Sequence, residues 1–153
     1  CPQLILGLAF SISIPMAFAT NHATNPATAW QLFTLAVIWP IIYDTQYALA
    51  DIEDDQKIGV HSSAIWLGSQ VIRAITLLQI LFVAGWLYFA YKLELHAPAW
   101  IVLSSISILF AYQFLLIQHK NPAQCLRAFH TNNGVGAIIF IAIALEYSVY
   151  GLR

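Results

Sequence analysis

The sequence predicts an all-α, polytopic transmembrane bundle of about five helices, forming a single membrane domain over residues 1–153. Three observations predict it. Hydrophobic residues make up 60% of the chain and charged residues only 8%. The apolar residues gather into five long runs, and runs of about 18 or more read as membrane-crossing helices. The breaks between those runs are short and hold most of the charge. A net charge of −1 leaves no basic footprint for nucleic acid.

The first run, residues 4–19, is short of a full span. It follows Cys1 with no initiator Met, no basic segment and no cleavage site, so it is not a signal peptide. It reads as the start of a piece of a larger membrane protein. The break at 20–28 is uncharged, carries Pro26 and reads as a turn. The second run, 29–50, contains Pro40; Pro40 and Pro15 are expected to kink their spans, which neighbouring helices tolerate by satisfying the freed carbonyls. The break at 51–69 is the longest and most polar. Its Lys57-Ile58-Gly59 step ends the helix, and 62–67 reads as a short interfacial helix.

The third run, 71–91, opens with Arg73 as an interfacial anchor. A short break at 92–98 leads to the fourth run, 99–118. The break at 119–134 contains Lys120, Arg127 and the polar stretch His130-Thr131-Asn132-Asn133; His130, Asn132 and Asn133 read as caps of the last helix or as substrate contacts, with capping favoured for Asn132. The last run, 135–150, encloses Glu146, for which a structural role is favoured. Trp30, Trp39, Trp66, Trp86 and Trp100 fall mostly near span ends, where interfacial belts form. Cys1 and Cys125 lack metal spacing and are not expected to pair. His22, His61, His96 and His119 show no metal-like spacing and are assigned no role.

Five spans put alternate breaks on opposite sides of a membrane. Lys57, Arg73, Lys120 and Arg127 share one side, against Lys92 and Arg153 on the other. The positive-inside rule therefore places the 51–69 loop in the cytoplasm.

That loop carries the chemistry. Asp44, Asp51, Glu53, Asp54 and Asp55 are five of the chain's seven acidic residues, clustered within twelve positions. Each carboxylate costs about 2.5–3.5 kcal/mol at a helix centre on insertion scales. A like-charged pair at about 6 Å adds about 3 kcal/mol at an effective dielectric of about 20. Lys57 is the only nearby basic residue, so a bound cation accounts for the cluster most simply. If the second helix continues to Asp55, 100° per residue sets Asp44, Asp51 and Asp55 within an arc of about 40°. Tyr47 flanks that stripe, Glu53 points away and Asp54 lies to one side. Hard oxygens at this spacing suit Mg²⁺, which takes one or two carboxylates together with waters and phosphates. A solvated acidic loop and an intramembrane cation or proton pathway stay open on the residues alone. The pattern of CDP-alcohol phosphotransferases, Asp-Gly followed by Ala-Arg and a later Gly, is absent.

The stretch Tyr43-Asp-Thr-Gln-Tyr-Ala-Leu-Ala-Asp-Ile-Glu-Asp-Asp-Gln-Lys-Ile-Gly59, with His61-Ser-Ser-Ala-Ile65 and Leu67-Gly68, resembles the second aspartate-rich motif of UbiA-type intramembrane prenyltransferases. Leu6-Gly-Leu-Ala-Phe-Ser-Ile-Ser-Ile-Pro-Met-Ala-Phe18 and Asn132-Asn133-Gly134-Val135-Gly136 are similar to the branch that acts on 4-hydroxybenzoate in ubiquinone biosynthesis. The resemblance implies the last five of nine helices around a lateral cavity, in a bacterial inner membrane. It implies that Asp51 and Asp55 form the pair that binds Mg²⁺ and a polyprenyl diphosphate, with Asp44 as a further ligand or organiser. Tyr47, Lys57 and Asn133 become substrate-binding candidates on the same basis. The implied reaction moves a polyprenyl group onto the ring carbon ortho to the hydroxyl of 4-hydroxybenzoate. Other aromatic or quinone precursors, and cation transport, are the alternatives. The family's first motif, of the form NDxxDxxxD, is not among these residues. The N-terminal half is then expected to be missing, and the piece to be inactive alone.

Overall fold

A computed structural model describes residues 2–20 and 26–151. The turn expected at 20–28 lies largely outside them, as do Cys1, His22 and Arg153. The described chain forms α1 (Pro2–Ser11), α2 (Ser13–Thr20), α3 (Pro26–Ala50), α4 (Ile52–Lys57), α5 (Ser63–Leu67), α6 (Val71–Lys92), α7 (Ala97–Ile117) and α8 (Pro122–Tyr150). One 3-10 turn, Gly68–Gln70, joins α5 to α6. Among the described residues, five segments are long and apolar enough to cross a membrane: Pro2–Thr20, Pro26–Ala50, Ser63–Lys92, Ala97–Ile117 and Pro122–Tyr150.

Proline divides the first segment and spares the second. Pro15 has no N–H for the Ser11 carbonyl and its ring crowds that oxygen. The helix accordingly breaks at Ile12, with Ile12 N donating to Leu8 O at 3.2 Å. Pro40 sits buried inside α3, which continues through it.

Helix α3 is the hub, packing against α1, α6 and α8, while α7 lies along both α6 and α8. The core between them holds Ile42, Ile75, Leu103, Ile106, Ile117 and Val135. Phe82, Trp86, Phe89 and Phe110 add edge-on and tilted ring contacts at 5.7–6.3 Å. Trp86 and Trp39 therefore face inward, correcting their expected place in an interfacial belt. Trp66, 78% exposed on α5, does sit as a belt residue would.

The largest correction concerns α8. It begins at Pro122, not at 135, so the polar stretch His130–Asn133 is helical. Its start signal is local: Asn121 Oδ1 accepts from Gln124 N at 3.2 Å, and Pro122 occupies the first helical position. Asn121 is the cap, and Asn132 is buried mid-helix.

Four helices are joined by side-chain amides, which substitute in lipid for a hydrophobic drive between helices. Gln46 and Gln79 donate to Gln113 Oε1 at 2.9 and 2.8 Å. Gln113 donates to Thr131 at 3.0 Å, and Asn132 donates to Gln46 at 2.7 Å. This ties α3, α6, α7 and α8 together at a buried level.

Two turns close by the same Schellman geometry with different residues. After α4, Val60 N donates to Asp55 O at 2.9 Å and Gly59 N to Gln56 O at 3.4 Å, with Gly59 at φ 73°. After α6, Leu95 N donates to Ala90 O and Glu94 N to Tyr91 O, with Glu94 at φ 53°. A side chain in that left-handed region is strained by about 1–2 kcal/mol, partly offset by glycine's greater freedom when unfolded. Glu94→Gly is expected to stabilise the protein by about 0.5–1 kcal/mol, read as a higher unfolding midpoint in detergent.

Candidate functional site

The acidic cluster lies where α3 gives way to α4. The backbone bends at Asp51 (φ −101°, ψ 12°), so the continuous helix assumed for the carboxylate stripe is interrupted there. One turn survives the bend: Asp51 O still accepts from Asp55 N at 2.9 Å. Asp51 and Asp55 thus remain a turn apart, while Asp44 lies within electrostatic reach of Asp55. Asp51 sits at the N-cap of α4 without using its side chain to cap. Its carboxylate instead accepts from the Tyr47 hydroxyl, and Tyr47 lies within electrostatic reach of Asp44 and Asp55 as well.

Asp44 is half-buried and held from the opposite side. It is hydrogen-bonded to Gln3 and feels the charge of Asp55. Gln3 Oε1 in turn accepts from Ser63 N at 3.1 Å, and Thr45 and Ser63 hydroxyls meet at 2.8 Å. The start of α1, the end of α3 and the start of α5 are locked around this carboxylate.

The remaining acids divide as their spacing predicts. Glu53 and Asp54 are exposed, and Asp54 pairs with Lys57 at 2.8 Å. The Asp54 carboxylate raises the Lys57 ammonium above the usual lysine range, keeping it charged. Lys57 is therefore engaged on the outer face of α4.

Among the described residues no three His, Cys, Asp or Glu side chains gather into a metal cage. A pair of hard carboxylate oxygens fits Mg²⁺ nonetheless, because that ion is held through one or two carboxylates and keeps waters and phosphate oxygens. The donor set of Asp51 and Asp55 suits it, with Asp44 beside them.

A cavity of about 300 Å³ opens between α3 and α8 next to this cluster. Its walls include Trp39, Tyr43, Phe129, Asn132 and Asn133, so Asn133 is brought to the same region as the acids. Phe129 contacts both Tyr43 (5.9 Å) and Tyr47 (5.3 Å), linking the cavity to the carboxylates. The sequence points to His130, Asn132 and Asn133 beside the site, whereas Trp39 and Phe129 carry no signal of their own, Trp39 reading as a belt residue. A larger, mostly apolar cavity of about 660 Å³ lies between α6 and α7.

Glu146 and His96 form a separate structure. His96 N donates to Glu146 Oε2 at 3.1 Å, and the ring Nδ1 meets Oε1 at 2.7 Å. The imidazole also stacks on Tyr150 at 3.6 Å. Glu146 thus fastens the start of α7 to the end of α8, which gives His96 the role that spacing did not reveal.

The sequence pattern of the UbiA prenyltransferase family matches residues 1–144. The chain belongs to the UbiA prenyltransferase family. Among the similar curated proteins is the 4-hydroxybenzoate octaprenyltransferase of Coxiella burnetii, 47% identical over 150 residues, covering 95% of this chain and 51% of that protein. The enzymes of the same name from Idiomarina loihiensis and Aeromonas hydrophila are each 43% identical, over 148 and 146 residues. Each alignment covers 95% of this chain, with 52% of the first enzyme and 51% of the second. The chain spans about half the length of the curated relatives it matches. No solved structure matches it. For this UbiA-family chain, five apolar helices make a multi-pass membrane protein.

Proposed function

We propose that the protein carrying this chain transfers a polyprenyl group from its diphosphate to 4-hydroxybenzoate, and that Asp51, Asp55 and Asp44 form the diphosphate side of the site. The observation that carries this reading is the Asp51–Asp55 pair, joined to Asp44 around Tyr47 at the end of an apolar bundle. Family membership and the relatives' names support the reaction class and the acceptor.

The allylic C–O bond breaks with its electron pair going to the diphosphate. A C–C bond forms ortho to the ring hydroxyl, and the ring proton there passes to the released diphosphate. Mg²⁺ would be held by Asp51 and Asp55 with Asp44 beside them, and would supply neutralisation of diphosphate charge. Tyr47 orients Asp51 through its hydroxyl. Gln3 and the Thr45–Ser63 contact fix the backbone around Asp44. The apolar bundle excludes water, which protects an electron-poor prenyl carbon from hydration. The charge balance of the loops supports a cytoplasmic site, and the bacterial relatives support an inner-membrane location.

The test is reconstitution of the native protein containing this chain in lipid nanodiscs with Mg²⁺, a polyprenyl diphosphate and 4-hydroxybenzoate. Chromatography is expected to show prenylated 4-hydroxybenzoate formed with an equal amount of diphosphate. Absence of product, or cation flux abolished by Asp51→Ala, overturns the reading in favour of another acceptor or of transport.

A further inference from the structure

The cavity of about 660 Å³ between α6 and α7 is walled by those two helices alone. It opens on the outside of the described bundle, where its lining residues Ile80 and Leu115 are 60% and 58% exposed. Both helices lie in membrane-crossing segments, so the groove faces hydrocarbon. Ala84 on α6, with Ser107 and Ala111 on α7, lines it with small side chains where bulkier ones would fill the gap.

Its dimensions fit a lipid chain. From Thr76 to Leu87 the α6 wall runs about 17 Å, at about 1.5 Å per residue. One leaflet contributes about 15 Å to a hydrocarbon core of about 30 Å. At about 30 Å³ per heavy atom, water's share, the volume holds about 22 heavy atoms. That is one acyl chain of ordinary length with its ester, whereas an octaprenyl chain is too long. Left empty, the groove would forfeit the dispersion contacts of its lining.

One end of the groove is basic. Arg73 lies on the same stripe of α6 as Ile80, Ala84 and Leu87, within an arc of about 60° and about one turn short of Thr76. At the same end Lys120 follows α7, and its Nζ donates to the Gly68 carbonyl just ahead of α6 at 3.2 Å. Arg73 Nη1 donates to Gln70 Oε1 at 3.1 Å. Both cations are exposed and bonded only to neutral acceptors; neither pairs with a carboxylate among the described residues. Positions 60–93 and 95–145 contain no Asp or Glu, so neither α6 nor α7 brings an acid to this end. The counter-charge has to come from outside these helices.

We propose that the α6–α7 groove binds an anionic phospholipid of the bilayer, with one acyl chain in the groove and the phosphate held by Arg73 and Lys120. Basic pockets between membrane helices recognise such headgroups. The chain has a structural effect as well. Gln79 lines the groove and donates to Gln113 Oε1, so the interior amide network begins at the groove wall. An acyl chain seated there screens those amides from water. The site is independent of the prenyl-transfer reading, because its test reads lipid retention and not turnover.

The test is native mass spectrometry of the native protein containing this chain, titrated in detergent with dioleoyl phosphatidylglycerol or dioleoyl phosphatidylcholine. The two lipids share their chains and differ in headgroup charge. The wild type is expected to retain one phosphatidylglycerol about tenfold more tightly than phosphatidylcholine. Arg73→Gln combined with Lys120→Gln is expected to bring the two lipids within about twofold of each other. Ala111→Phe fills the groove from an exposed position and leaves both cations in place. It is expected to weaken phosphatidylglycerol binding about tenfold. Equal retention of the two lipids by the unaltered protein overturns the site without recourse to any variant. No retained lipid, as when another helix of the same protein covers the groove, overturns it too. So does binding that survives both sets of changes, or displacement of phosphatidylglycerol by an equimolar polyprenyl diphosphate.

Discussion

Asp51→Asn and Asp55→Asn are each expected to lower prenyl transfer about 10²–10³-fold, the usual effect of removing one preorganised electrostatic group from a reacting centre. Asparagine keeps the shape of aspartate and still accepts from Tyr47, so the bend between α3 and α4 survives. What is lost is one negative charge and one hard ligand oxygen for Mg²⁺. The control is Asp54→Asn. Asp54 is exposed and pairs with Lys57 away from the turn shared by Asp51 and Asp55. An exposed pair of this kind contributes about 0–1 kcal/mol, so the rate is expected to stay within about twofold of wild type. Initial rates in nanodiscs at saturating acceptor measure all three. Equal losses at Asp54 and Asp51 would show that total loop charge, not the Asp51–Asp55 pair, sets the rate.

Gln113→Leu is expected to destabilise the bundle by about 2–4 kcal/mol. Interhelical hydrogen bonds in membranes average about 0.6 kcal/mol and reach about 1.7 kcal/mol, and Gln113 makes three. The substitution also strands the Gln46 and Gln79 amide donors at buried positions, and stranded buried donors cost about 1–3 kcal/mol each before relaxation. Leucine fills the volume, so packing loss is minor. Gln118→Leu, at the exposed end of α7, is the matched control and is expected to change stability by under about 0.5 kcal/mol. Denaturant unfolding in mixed micelles measures both. A Gln113→Leu midpoint equal to that of Gln118→Leu would show that the network does not hold the helices together.

Much of the architecture was legible because hydropathy reports it directly. The apolar runs ending at Ala50 and beginning at Val71 match α3 and α6, and Gly59 stops α4 where a left-handed residue was required. The placing of Asp51 and Asp55 a turn apart, with Glu53 and Asp54 exposed, was legible too, since one turn of helix suffices to set it. The bend at Asp51 was not, because no Pro or Gly marks it in the sequence. The start of α8 was misread for a physical reason. Gln, Asn and Thr lower hydropathy whether water or other helices satisfy them, so a stretch paired to α3 and α7 looked like a solvated break. The Asn121-Pro122 pair carried the right signal at the right place. The partner of Asn132, by contrast, is 86 residues away and nothing local announces it.

That separation has a consequence for how the protein is made. Gln46 enters the bilayer with α3, yet the donor for its carbonyl arrives only with α8. At roughly 5–20 residues per second, the 86 intervening positions take roughly 4–17 s to synthesise. For that interval a membrane helix carries an amide awaiting its mate. The arrival of α8 is therefore the event that gives Gln46 this partner, and interrupting synthesis before residue 132 is expected to leave the amide unpaired for quality control to find.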